Sequence, residues 1–144
     1  MNIREKIKER LQGKILDWKE PSGGKIYFTI SKVNITGAVR ILFKEMGLRF
    51  STASATDMPE GIEILYHFCF DKDGEVYTLR VMIEDKKHPE IDSIATLFPG
   101  AEWIEREIWE MLGINFKGHP NLKRLLLAED WPQGEYPLRH DHES

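Results

Sequence analysis

The chain has 144 residues, 41% of them apolar and 31% charged, with a formal net charge of -4. That length suits one domain, and the acidic balance argues against nucleic acid as a partner, because phosphate binding calls for a basic surface. The 1 cysteine, Cys69, excludes an internal disulfide and an iron–sulfur cluster held by this chain alone, since such clusters take about four cysteine ligands.

The opening MNIREKIKERL is charged throughout and has no apolar signal core. No run approaches the roughly 20 apolar residues that span a bilayer. The expectation is a cytoplasmic protein, or one held at a membrane through partners without inserting into it. Ile3, Ile7 and Leu11 recur every fourth residue and predict a short amphipathic helix. Pro21-Ser22-Gly23-Gly24 predicts a loop, and the alternation of Ile26, Phe28 and Ile30 predicts a strand over Lys25–Ile30. Asn34 is a suitable N-cap for a helix whose apolar stripe is Ile35, Ala38, Val39, Leu42, Phe43 and Met46, stopped by Gly47.

Phe50–Thr56 is small and Thr-rich and is expected as a strand. Ile62–Phe70 is a stronger one, with Ile62, Ile64, Tyr66, Phe68 and Phe70 on one face and Glu63, Leu65, His67 and Cys69 on the other. The Asp71–Gly74 turn then leads to a hairpin partner over Val76–Ile83. Pro89 and Glu90 suit the first turn of a helix continued by Ile91, Ile94, Ala95 and Phe98. Pro99-Gly100 reads as a break, Ala101–Leu112 as the last helix, and Gly113 as its stop. Beyond Gly118, Pro120, Pro132 and Pro137 forbid long regular structure. The predicted class is α+β: a two-layer domain over residues 1–117, with a mixed or antiparallel sheet of about four strands and helices mainly on one face, followed by an extended partner-binding tail over 118–144.

On a helical wheel, Ile104, Ile108, Met111 and Leu112 form one stripe flanked by Trp109, and Glu102, Arg106 and Glu110 form a charged stripe opposite. Glu105 lands between Leu112 and Trp109. A carboxylate there must reach water or find a cation, because burying it alone costs several kcal/mol. Lys123, Arg124 and Arg139 are candidate cations; a solvated boundary position is the alternative. The tail poses a second question. Leu125, Leu126, Leu127, Trp131, Tyr136 and Leu138 on proline-broken chain either fold back on the domain or bury against another protein.

The stretch EREIWEMLGINFKGHPNLKRLLL resembles the signature of the 30 kDa subunit of respiratory complex I, the NADH:quinone oxidoreductase. Glu105, Arg106, Glu107, Glu110, Gly113, Phe116, Gly118, His119, Pro120, Lys123 and Arg124 match it in order and spacing. Asp130-Trp131 and Tyr136-Pro137-Leu138-Arg139 with Asp141 are similar to the family's DW and PLR tail, and the resemblance runs from about Val33 to Asp141. It implies a subunit without catalytic, cofactor-binding or metal residues of its own. Such a subunit packs in the hydrophilic arm against the large [NiFe]-hydrogenase-like (49 kDa-type) subunit and neighbouring iron–sulfur subunits, on the cytoplasmic side of the membrane. Related subunits occur in membrane-bound hydrogenases and their sulfur-reducing relatives. His140 in place of the usual lysine, and a short end at Ser144, lean toward that hydrogenase-like branch.

On this resemblance, the partner interface is expected at Glu105, Arg106, Glu107 and Trp109 on the last helix and at His119 and Pro120 after it. It continues through Lys123, Arg124, Leu125, Leu126, Asp130 and Trp131, then Pro137, Leu138 and Arg139. The rival readings are weaker. Glu105 and His119 as an acid–base pair lack a nucleophile or phosphate loop. His140-Asp141-His142 has too few ligands at defined spacing for a closed metal site. His119 is more simply a turn residue bonded to a carbonyl or carboxylate, and Cys69 a packed thiol. A stand-alone protein-binding module remains the alternative function.

Overall fold

The computed structural model describes residues 2–120 and 136–139. It has helix α1 (Ile3–Arg10), strands β1 (Ile15–Ser22) and β2 (Lys25–Ile30), helix α2 (Ile35–Arg40), strands β3 (Arg49–Met58), β4 (Gly61–Phe70), β5 (Glu75–Ile83) and β6 (Glu90–Asp92), helix α3 (Pro99–Leu112) and strand β7 (Asn115–Lys117). The α+β expectation is met, with a five-stranded sheet in the order β1-β2-β5-β4-β3 rather than about four strands. The sheet is mixed: β1 and β2 are antiparallel, β2 and β5 parallel. A second, two-stranded sheet pairs β6 with β7 in parallel. No helix among the described residues is long and apolar enough to cross a membrane.

The chain divides into two compact units, Met1–Ala53 with Leu65–Val81 and Ser54–Ile64 with Met82–Ser144. In the first, Asn2 caps α1 by accepting the Glu5 N–H at 2.9 Å, and Ile7 and Leu11 are buried as their spacing predicts. Strand β2 buries Ile26, Phe28 and Ile30 on alternate positions. Strand β1 was not foreseen. Most of its residues are exposed, so it carries no apolar alternation. Its signal is the Gly23-Gly24 pair, both at positive φ, which makes a two-residue hairpin turn between Ser22 and Lys25.

The stripe over residues 35–46 is helical, but a 3-10 turn (Lys32–Asn34) leads into α2, and Asn34 makes no side-chain cap bond. Beyond Arg40 the helix widens to π geometry over Ile41–Glu45, with the Met46 N–H donating to the Ile41 carbonyl. That widening rotates the stripe, and Phe43, expected inside, is exposed. Gly47 stops the helix at φ 71. Strand β4 buries Ile62, Ile64, Tyr66 and Phe68 while Glu63, Leu65, His67 and Cys69 are half-buried, as its alternation predicts. On that second face the His67 ring meets the Thr78 hydroxyl at 3.0 Å.

In the second unit, the predicted helix over Pro89–Phe98 is absent. Glu90–Asp92 pairs with Asn115–Lys117, Ile91 opposite Phe116, and only a single turn follows, in which the Leu97 and Phe98 N–H groups donate to the Ile94 carbonyl. One turn suffices to bury Ile94, Ala95 and Phe98 at helical spacing, and β7 supplies Ile91 with a ladder that no local pattern announces. Pro99-Gly100 opens α3 rather than breaking the chain; proline at the first helical position lacks only an N–H that would have no helical partner. At the other end Gly113, at φ 80, takes the left-handed cap and donates its N–H to the Trp109 carbonyl at 2.8 Å.

Candidate partner-binding site

The expected interface residues that are described cluster on α3 and the segments that meet it. Glu105 is only 2% exposed. One carboxylate oxygen accepts from the Ser93 hydroxyl at 2.5 Å and the other from the Ile94 N–H at 2.9 Å, and the Ser93 Oγ in turn accepts the Ala95 N–H at 3.0 Å. Among the described residues, then, the acid holds the turn after β6; of the cations considered for it Arg139 bonds elsewhere, and Lys123 and Arg124 lie outside the described residues. The reason is proximity: two neutral donors lie within reach of a side chain that the fold has closed off from water. Burial raises its pKa to about 7, against the lowering effect of the Ser93 and Ile94 bonds.

Of the charged stripe Glu102, Arg106 and Glu110, the last two are buried. A wheel gives direction along a helix, not what the rest of the fold places in that direction. The Arg106 guanidinium lies 5.7 Å from the centroid of the Trp103 ring, which is exposed. Glu107 is exposed and Trp109 half-buried.

After β7, Gly118 turns the chain at φ 83, and the His119 ring sits with Nε2 2.8 Å from the Glu102 carbonyl. A carbonyl only accepts, so Nε2 carries the proton in this bond. That agrees with His119 as a turn residue bonded to a carbonyl. Pro120 is exposed beside it. Lys123, Arg124, Leu125, Leu126, Asp130 and Trp131 lie outside the described residues, as do Leu127, His140, Asp141 and His142.

Residues 136–139 return to the C-terminal end of α3. The Tyr136 ring covers Gly113 so closely that a Cβ there would lie 2.6 Å from it. The Leu138 N–H donates to the Met111 carbonyl at 2.9 Å. Arg139, 8% exposed, donates from Nη1 to the Leu112 carbonyl at 3.1 Å and from Nη2 to the Lys86 carbonyl at 2.5 Å. Its Nε lies 3.6 Å from the Asp57 carboxylate, which is fully buried and also meets Lys86 Nζ at 2.5 Å. Lys86 Nζ donates further to the Met58 carbonyl at 3.1 Å.

Arg139, expected at the partner interface, forms a clasp within its own unit. The physical reason is that a buried carboxylate requires cations, and a guanidinium that also satisfies two open carbonyls, one of them in the last turn of α3, supplies one at little cost. Leu138 alone in this segment turns outward, 57% exposed, with Pro137 half-buried. Sequence reasoning missed Asp57, Lys86 and Ser93. Asp57 follows the uncharged run Phe50–Thr56, and that was the one signal it left.

Comparison with known proteins places these features in a family. The family described as respiratory-chain NADH dehydrogenase, 30 kDa subunit, matches residues 28–144. The NADH-quinone oxidoreductase C subunit of Citrifermentans bemidjiense is 32% identical over 141 residues, covering 95% of this chain and 85% of that one. The NADH-quinone oxidoreductase C/D subunit of Bacteroides thetaiotaomicron is 35% identical over 100 residues, covering 67% of this chain but 18% of the relative. Among solved structures, a chain of the membrane-bound sulfane sulfur reductase, an archaeal respiratory membrane complex, superposes with a TM-score of 0.82 at 24% identity, covering 96% of this chain and 82% of that chain. That last likeness is one of fold.

Proposed function

The chain belongs to the family of the 30 kDa subunit of respiratory-chain NADH dehydrogenase, and from that premise we propose that it is a non-catalytic, peripheral subunit of a membrane-associated oxidoreductase complex. The observation that carries the proposal is the family match over residues 28–144. Its partners are the large [NiFe]-hydrogenase-like subunit of the 49 kDa type and neighbouring iron–sulfur subunits, on the cytoplasmic side of the membrane. The Bacteroides relative favours a direct contact with a large partner, since its double designation C/D goes with a segment like this chain inside a much longer protein.

The docking segment is the chain after Gly118. Exposed Pro120 opens it, and exposed Leu138 ends its described part next to the Arg139 clasp. Between them Lys123, Arg124 and Asp130 would form ion pairs, and Leu125, Leu126 and Trp131 would fill pockets. Glu107, Trp109, His119 and Pro137 border the same surface. Glu105, Arg106 and Arg139 serve by holding the helix and the returning segment in place. The contribution to turnover is to hold the partner's active-site region in a fixed geometry.

The experiment is a mild-detergent pull-down of the tagged protein from native membranes, with mass spectrometry and metal analysis. Recovery of a large-subunit homologue with nickel and iron supports a hydrogenase-type complex. Iron without nickel supports a quinone-reducing or sulfur-reducing one. Recovery of the chain alone would overturn the proposal and leave a stand-alone binding module.

A further inference from the structure

Helix α2 and the turns at its two ends depart from helix preferences in three ways, all on one surface. Val33, Gly37, Arg40 and Lys44 recur at helical spacing and are exposed, Val33 at 75%. Phe43, 41% exposed, flanks them. The whole stripe lies in the first compact unit. After proline, glycine is the residue least suited to a helix interior. Gly37 nevertheless sits inside α2, without the positive φ that calls for glycine. Beyond the backbone of its own helix, no described atom lies within 4 Å of where its Cβ would stand. Among the described residues, then, nothing requires the missing side chain. Arg40 and Lys44 are like charges one turn apart, a pairing that weakens a helix. Among the described residues no ion pair relieves it, whereas the adjacent Glu45 is bonded to Arg10 at 2.7 Å. Over the same turn the helix widens to π geometry, a feature frequent at functional sites. Departures of this kind, gathered on one exposed stripe and uncompensated within the fold, mark a surface that serves something outside it.

We infer that this stripe docks an acidic helix of another subunit. Two carboxylates one turn apart on that helix pair with Arg40 and Lys44, and its apolar residues cover Val33 and Phe43. The notch at Gly37 lets the two helix axes approach closely, since the side chains at a crossing set its distance. The inference rests on the assembly role proposed above. Charge and shape select this occupant. An anionic membrane surface would meet the whole chain's -4 rather than the stripe alone, and a flat surface leaves the notch unfilled. A second copy joined through the same stripe about a two-fold axis would set these cations against themselves.

Gly37→Gln tests the inference through two readouts that move in opposite directions. Glutamine favours a helix, so the melting temperature of the full chain should hold or rise. Its side chain fills the notch, so recovery of the tagged chain in the complex from native membranes should fall by about tenfold or more. A lower melting temperature would show that the fold itself needs the glycine, and would overturn the inference. The double variant Arg40→Gln with Lys44→Gln removes the like-charge pair and should likewise keep the melting temperature and lose the complex. If the wild-type chain purifies without partners, the assembly role and the docking stripe both fall. If the complex forms and both variants enter it at wild-type yield, the stripe alone falls. Carbodiimide coupling of the wild-type complex, which joins an amine to a carboxylate in contact with it, gives an independent reading. Lys44 should be linked to an aspartate or glutamate of another subunit. A link to a second copy of this chain, or no link outside its own chain, would overturn the inference.

Discussion

Asp57 and Glu105 are buried carboxylates of the same compact unit, and they are managed in opposite ways. Asp57 sits between Lys86 and Arg139, so its charge is met by charge. Among the described residues Glu105 faces a hydroxyl and an amide, so there its charge is met by dipoles, and burial lifts its pKa to about 7. The two sites show that burial alone does not define a carboxylate. The partners decide whether it is a fixed anion that ties segments together or an acid that titrates near neutrality. They also hold different parts of the molecule: Asp57 secures the returning residues 136–139, and Glu105 secures the turn after β6.

The largest effect should come from breaking the charged site. Asp57→Ala leaves two cations, one of them buried, without their carboxylate and should cost about 3–5 kcal/mol of unfolding free energy, measured by chemical denaturation. Loss below about 1 kcal/mol would mean that the clasp does not form. Deletion after Gly118 removes Arg139 as well, so it should destabilise this unit rather than leave it intact.

The neutral site should show its character through pH. The folded-state pKa of Glu105 lies above its ordinary value of 4.5. Its contribution is therefore fully present below about pH 4.5 and is lost as pH rises through 7, a difference of roughly 3 kcal/mol. Glu105→Gln keeps an acceptor for Ile94 and offers a donor to Ser93. It should remove that part of the pH dependence and raise stability at pH 8. A wild type and variant with parallel pH profiles would show that Glu105 does not titrate in this window.

A third variant separates the clasp from its seat. Gly113→Ala forces a Cβ against Tyr136 at a left-handed position and should cost about 1–2 kcal/mol or more, together with increased proteolysis near residues 136–139. Unchanged proteolysis would mean that Arg139 holds the segment without the helix cap. The smallest effect is expected from Ser93→Ala, about 1 kcal/mol near neutral pH. Loss of a donor to the anion should also move the Glu105 titration upward. A downward movement would assign the raised pKa to something other than burial.

Much of the fold was legible locally. The alternation of β4, the Ile7 and Leu11 stripe of α1, and the glycine stops at Gly47 and Gly113 each depend on side chains and backbone freedom a few residues apart. The family signature was legible for a related reason, as it is a contiguous run around Glu105–Arg124. The helix expected over Pro89–Phe98 failed because one turn and a three-residue strand reproduce helical spacing over so short a run. Strand β1 was missed because an outer strand with mostly exposed residues needs no apolar alternation; only its Gly-Gly turn pointed to it.

The amino-acid sequence by itself determined the α+β class, most element boundaries and the family, since these follow from periodicity, φ preferences and contiguous motifs. Tertiary structure alone decided which groups meet. Asp57, Lys86 and Arg139 come from three distant points of the chain, and Glu105 finds Ser93 rather than a basic residue of the tail among the described positions. No local pattern encodes such meetings, because the energy of a buried charge depends on partners that only the closed chain brings within about 4 Å.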